Sequence, residues 1–182
     1  MIYNFKNDTL FFNRYLENIL SANFTGVMVE CCALCLQSQG HSSSTVLTPY
    51  EHKQNMVRAD LLIDWSTEIT ANILSSYRDE NRVTDHGAMC IALLLTSKLT
   101  EFDYVETSQK GDGVDFWLSK GDDIDMSARL EISGIRQEKG TNTVKNRLKI
   151  KFSQTAQSDN SNIPAFVSII EFSKPEAIYI LK

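Results

Sequence analysis

The chain is expected to fold as a single α+β domain, residues 1–182, built on a mixed central β-sheet flanked by helices. Three observations lead there. Helical periodicity alternates with short runs of period two along the whole chain. From about residue 80 the order reads helix, strand, strand, strand, helix, strand. The run "PAFVSIIEFS" is apolar almost throughout, which is the pattern of a strand covered on both faces. A chain of 182 residues buries roughly 70% of its unfolded surface and needs no covalent staple.

The N-terminal part, 1–80, reads as helices and a β-hairpin. Asp8 is placed to cap a first helix, "TLFFNRYLENILSA", with Leu10, Phe11, Tyr15, Leu16, Ile19 and Leu20 at helical spacing. Thr25 opens a second helix that runs through Gln39 and closes at Gly40. "SSSTVLTPYE" and "MVRADLLIDW" are two strands joined by a turn over Glu51–Asn55. "STEITANILSSYRDE" is a helix with Ser66 or Thr67 as cap and Glu68 in the first turn.

In the remainder, 81–182, "TDHGAMCIALLLTSKL" is a helix capped by Thr84 or Asp85. "FDYVETSQ", "GVDFWLS" and "SARLEISGI" are strands, the last two separated by the acidic turn "KGDDIDM". "TVKNRLKIKFSQTAQS" is a helix, the polar loop "DNSN" follows, and "EAIYIL" makes a final edge strand.

Several function classes are disfavoured. A net charge of −5 argues against a general nucleic-acid coat or a membrane-surface binder, while leaving room for a local basic patch. No apolar run approaches the ~20 residues of a membrane span. Residues 1–10 are polar and aromatic, so no secretory leader is expected. Cys31, Cys32, Cys35 and Cys90 show no recognisable zinc-ligand spacing and read as buried free thiols, for which a reducing cytoplasm is the simplest setting. His41, His52 and His86 are isolated and read as structural or surface residues. No glycine-rich phosphate loop precedes a helix, and the acids of the 112–125 region lack the calcium-loop glycine.

The chemistry is concentrated in two acids that interrupt apolar strands. Side chains alternate along a strand, so Asp115 and Trp117 share a face opposite Val114, Phe116 and Leu118. Arg129, Glu131, Ser133 and Ile135 likewise oppose Ala128, Leu130 and Ile132. Pairing the two strands with their apolar faces together brings Asp115 and Glu131 to the same side. Two carboxylates about 5 Å apart repel by roughly 3 kcal/mol at an effective dielectric near 20. A divalent cation, Arg129, a nearby lysine, a shared proton or simple exposure to water would each relieve that.

In the helix that follows, Val144, Leu148, Phe152 and Thr155 form the packing stripe. Arg147, Lys151, Gln154 and Ser158 form one row along its rim, aimed toward the acid-bearing strands. Lys145 and Lys149 occupy the other, solvated flank. Trp117 is placed either to pack beneath this helix or to stack on a base.

Over residues 80–172 this order of elements and acids resembles the PD-(D/E)xK nuclease superfamily, the restriction-endonuclease-like fold. The resemblance implies an α-β-β-β-α-β core with an N-terminal helical and hairpin extension. "GVDFWL" supplies Asp115 for the second core strand; "LEIS" supplies Glu131 for the third, with Ser133 where the family motif has lysine. Some members carry that lysine on the next helix, where Lys151 stands, and Gln154 matches a recurrent helix glutamine. The implied activity is Mg²⁺- or Mn²⁺-dependent hydrolysis of a nucleic-acid phosphodiester, with mobile-element or phage-defence biology as the setting.

Under that implication Asp115 and Glu131 hold the metal, Lys151 and Gln154 complete the catalytic set, and Arg147 and Ser133 bind substrate. Glu30 and Asp85, each on a helix before the core strands, are alternative sources of a further acid. The missing strand lysine keeps open a second implication: a catalytically inactive nuclease-fold subunit that binds a protein partner or a second copy of itself.

Overall fold

The structure, a computed structural model, describes residues 2–3, 20–49, 60–121, 126–156 and 163–182. The expected first helix with Asp8, the 51–55 turn, His52, the acids 122, 123 and 125, Ser158 and the 159–162 loop lie outside these.

Among the described residues eight strands form one mixed sheet. They are β1 (Ile2–Tyr3), β2 (Thr45–Pro49), β3 (Asp60–Ile63), β4 (Tyr104–Thr107), β5 (Phe116–Ser119), β6 (Ala128–Ile135), β7 (Ala165–Glu171) and β8 (Glu176–Leu181). Their order across the sheet is β1-β3-β2-β8-β7-β6-β5-β4. β4, β5 and β6 are antiparallel neighbours, as are β2 with β3 and β7 with β8; β6 with β7 and β2 with β8 are parallel. The N-terminal pair β2–β3 therefore extends the same sheet as the later strands.

Among the described residues four helices flank it: α1 (Ala22–Ser38), α2 (Ala71–Ser76), α3 (Glu80–Leu99) and α4 (Val144–Thr155). The sheet divides the core in two. On one side α1 and α3 meet Phe116, Leu118, Ala128, Leu130, Ile132 and Phe172. On the other, Val144 and Leu148 of α4, with Phe152 beside them, meet Ile135, Val167, Ile169, Ile178 and Ile180. The even-numbered apolar residues of β6 thus face α3, and its odd-numbered residues face α4. The crossover from β6 through α4 to β7 is what joins two parallel neighbours. No helix among the described residues is long and apolar enough to cross a membrane.

Four local expectations are corrected. "EAIYIL" is an interior strand: β8 pairs with β7 along its length and with β2 at Thr48↔Glu176 and Pro49↔Ala177. Ala177–Ile180 are buried, and the docked hairpin covers an edge that would otherwise be a template for aggregation.

The helix expected over residues 66–80 forms only at Ala71–Ser76, with the Thr70 hydroxyl accepting from the Ile73 N–H. Asp79 then starts α3 by accepting from the N–H groups of Asn81 and Arg82, so neither Thr84 nor Asp85 is the cap. A true cap spares Asp85 for the cleft described below. Similarly, α1 starts earlier than expected, at Ser21, whose hydroxyl accepts from Phe24. All four cysteines are free and buried, and burial pushes the Cys31 and Cys35 thiols up to about 12, which keeps them protonated and unreactive.

The β7–β8 turn is held by a fully buried acid. Glu171 accepts from the Ser173 N–H at 3.2 Å, the Ser173 hydroxyl at 2.6 Å and the Lys174 N–H at 2.6 Å. Glu171→Gln turns one acceptor oxygen into a donor facing donors. It is expected to lower stability by about 2 kcal/mol in urea unfolding; an unchanged midpoint would show that the turn holds without these bonds.

Candidate active-site cleft

The first requirement is that the two acids meet. The β5–β6 register pairs Phe116 with Leu130 and Trp117 with Arg129. One step further sets Asp115 opposite Glu131, and the Asp115 N–H donates to the Leu130 carbonyl at 3.0 Å. Both side chains line one cleft.

Here β5 stops and β6 continues, so the amide edge of β6 beyond Glu131 has lost its strand partner. The Asp115 Oδ2 takes the first of those amides, Ile132 N–H, at 2.7 Å. The acids therefore sit in a notch at the point where the sheet opens. α4 reaches the notch from one face and α3 from the other.

From α4, Lys151 forms an ion pair with Glu131 Oε1. It brings an ammonium to the acid pair from the helix, while Ser133, two residues past Glu131, is buried beside it in the same lobe. Arg147 is one turn earlier and lines the cleft with its Nε bound to Asn142 Oδ1 at 2.9 Å. Gln154 is one turn later, exposed at the outer lobe with the two acids.

From α3 comes Asp85, at the mouth of the central lobe with Met89. Its approach depends on Gly134 of β6. A Cβ built there would lie 2.5 Å from the Thr84 carbonyl oxygen and 2.7 Å from its Cγ2. Only a residue without a side chain lets α3 come this close.

Of the two candidate further acids, Glu30 is not at the cleft. Its Oε2 accepts the Tyr77 hydroxyl at 2.6 Å, a link between α1 and the segment after α2. Arg129, an alternative partner for the acids, is buried and donates to the backbone carbonyls of Ile163 and Thr155. Trp117 is half-buried with its indole N–H directed to Asp112 Oδ2 at 3.3 Å.

Sequence reasoning missed the 108–113 loop, which forms the outer wall with Ser108, Gln109 and Lys110. Its signal was the pair of glycines, Gly111 and Gly113, both with positive φ, just ahead of Asp115. It also missed Gly134 and Arg136, whose roles arise only from what packs against them.

The electrostatics are those of acids taken partly out of water. Burial, then the neighbouring Asp115, raises the Glu131 carboxyl to about 7 against the opposing pull of Lys151. Burial raises Asp115 too, opposed by the Ile132 N–H and by Lys151. Asp85 is raised by the cleft walls and by Asp115, and lowered by Lys151 and Arg147. Three carboxyls with raised affinity for protons around one lysine form the kind of cluster that active sites use.

Among the described residues no group of three or more His, Cys, Asp or Glu side chains stands close enough to hold a metal by itself. Two facing carboxylates match the Mg²⁺ habit of taking one or two protein oxygens and completing its shell with water and substrate phosphate.

Comparison of the chain with protein-family models, with curated proteins and with solved structures returns no match.

Proposed function

We propose that this protein is a metal-dependent phosphodiesterase acting on nucleic acid, with a restriction-endonuclease-like core formed by α3, β4, β5, β6, α4 and β7. One observation carries the reading: Asp115 and Glu131 face each other at the sheet notch, with Lys151 on Glu131 and Asp85 across the opening. The recorded hydrogen bonds of the two candidate arginines go elsewhere than to the acids. Arg129 serves backbone carbonyls and Arg147 leans on Asn142, in contrast to the arrangement expected of an inactive subunit with its acids neutralised by arginine.

In this reading Asp115 and Glu131 hold the metal. Bound Mg²⁺ or Mn²⁺ would polarise the phosphate and acidify a water. The Lys151 ammonium balances negative charge as water oxygen bonds to phosphorus and the ester P–O bond breaks, yielding an alcohol and a phosphomonoester. The Arg147 guanidinium offers its N–H groups to the substrate backbone beside the acids, and Gln154 offers an amide at the outer lobe. The acids and Lys151 lie in a recess, where their fields act with little screening.

A metal that binds only the folded state raises its stability by mass action, about 2.7 kcal/mol at a hundredfold excess over Kd. Mn²⁺ or Mg²⁺ is expected to raise the unfolding temperature of the wild type at pH 8, and to raise it little in Asp115→Asn and Glu131→Gln. Metal-dependent cleavage of labelled DNA or RNA should vanish in the same variants. An unaltered unfolding temperature in the wild type, with no cleavage, would instead favour the assembly-subunit reading, and pull-down with a second tagged copy would then test self-association.

A further inference from the structure

We infer that the substrate is a single polynucleotide strand laid through a three-lobed groove, with the phosphate next to the scissile one held by Arg136 and Arg147. This rests on the phosphodiesterase reading above and specifies its substrate.

The lobes are neighbours in a fixed order. An outer lobe of about 360 Å³, walled by the 108–113 loop, shares Asp115 with the central lobe of about 220 Å³. The central lobe shares Asp85, Gly134 and Arg147 with a third lobe of about 380 Å³. Outer and third lobes share no residue, so the acids stand inside a path that extends to either side of them.

The third lobe is chemically suited to a nucleotide. Arg136 and Arg147 contribute two guanidinium groups, and Asn81, Gln137 and Asn142 contribute carboxamides. Arg147 is braced through Nε on Asn142, and Arg136 donates through one terminal nitrogen to the Ser38 hydroxyl at 2.8 Å. A braced guanidinium presents its remaining N–H groups in a fixed fork that fits a phosphate. Carboxamides offer paired donors and acceptors to a base edge. Glu80 and Asp85 on the α3 wall oppose a second anion there, which limits the lobe to one phosphate.

The same features favour a single strand over a duplex. Glu131 and Lys151 keep only 6% and 15% of their side-chain surface exposed, so a phosphate must enter the notch to reach them. A single strand can turn its backbone and seat one phosphate in such a recess, whereas a duplex presents its backbone on a rigid cylinder. The chain carries a net charge of −5, and among the described residues the cations lining the three lobes are Lys110, Lys151, Arg147 and Arg136. Duplex binders neutralise phosphates on both strands.

The experiment compares a minimal phosphodiester, bis(p-nitrophenyl) phosphate, with a labelled 12-nucleotide single strand and its duplex, all with Mn²⁺. Arg136→Gln is expected to lower kcat/KM on the single strand about tenfold relative to that on the minimal ester. The slope of log kcat/KM against log salt should fall by about 0.7, one single-strand phosphate contact. Arg136→Lys should retain that slope, which separates lost charge from lost folding. Lys145→Ala, on the solvated flank of α4, should leave both substrates unaffected.

The inference is overturned if Arg136→Gln slows both substrates equally or neither, or if the wild type cleaves duplex as fast as single strand. Hydrolysis of the minimal ester with either result leaves the phosphodiesterase reading standing. Hydrolysis of nothing removes that reading and this inference together.

Discussion

Lys151→Met is expected to cost about 4 kcal/mol of folding stability at pH 8 and far less at pH 5. Lys151 is the cation on a carboxylate that is only 5% exposed and faces a second acid, Asp115. Removing one partner of a buried pair leaves the other without compensation, which costs more than the pair was worth.

The pH dependence follows from the direction of the Glu131 shift. Its carboxyl rises from an ordinary 4.5 to about 7, so the folded state binds that proton more tightly than the unfolded chain does. The resulting contribution is fully present below pH 4.5 and is lost as pH rises through 7, about 3 kcal/mol in all. Asp115 and Asp85 are raised as well and act in the same direction.

In Lys151→Met the opposing ammonium is gone, the Glu131 carboxyl rises further, and the loss extends above pH 7. At pH 5 Glu131 is protonated in both proteins and the missing cation matters little. Urea unfolding at pH 5, 6, 7 and 8 measures this directly. Parallel stability curves for the two proteins would mean that Lys151 and Glu131 are not coupled.

Gly134→Ala is expected to cost about 3 kcal/mol, at the upper end for overpacking. The nearest atom to the new Cβ is the Thr84 carbonyl oxygen, a backbone atom in the second turn of α3 that cannot rotate aside. α3 must move away from β6, and Asp85, the next residue along, moves with it. The variant should therefore also bind Mn²⁺ more weakly, if Asp85 acts at the mouth of the notch. Adding Thr84→Ala removes Cγ2 but not the carbonyl, so the double variant should regain little. Full recovery in the double variant would show that a side-chain clash, not helix position, was limiting.

The acid pair was legible because it depends on a local rule. Alternation along a strand is a property of the backbone, so residues 114–118 and 128–133 reveal which side chains share a face once the strands pair. The same holds for α4: a period of 3.6 places Arg147, Lys151 and Gln154 on one rim and Val144 and Leu148 on the buried stripe. Helix starts were read less well. Ser21, Asp79 and Thr70 compete with nearby Ser, Thr and Asp residues of similar capping ability, and the outcome is set by which amides each can reach.

The composition of the cleft beyond the pair was not legible. Asp85 and Glu30 look equivalent in sequence, each an acid on a helix. What separates them is that Tyr77, 47 residues away, takes Glu30, while Gly134, on a strand reached only after two others, admits the helix carrying Asp85. β8 looks like an edge until β2 docks on it. Glu131 is an acid in a strand by sequence, and its raised proton affinity exists only once α4 and the 108–113 loop exclude water around it. Periodicity is written into adjacent residues and survives any choice of neighbours. Burial, close approach and charge coupling belong to pairs distant along the chain, and those have no value until the sheet and its two helical layers bring them together.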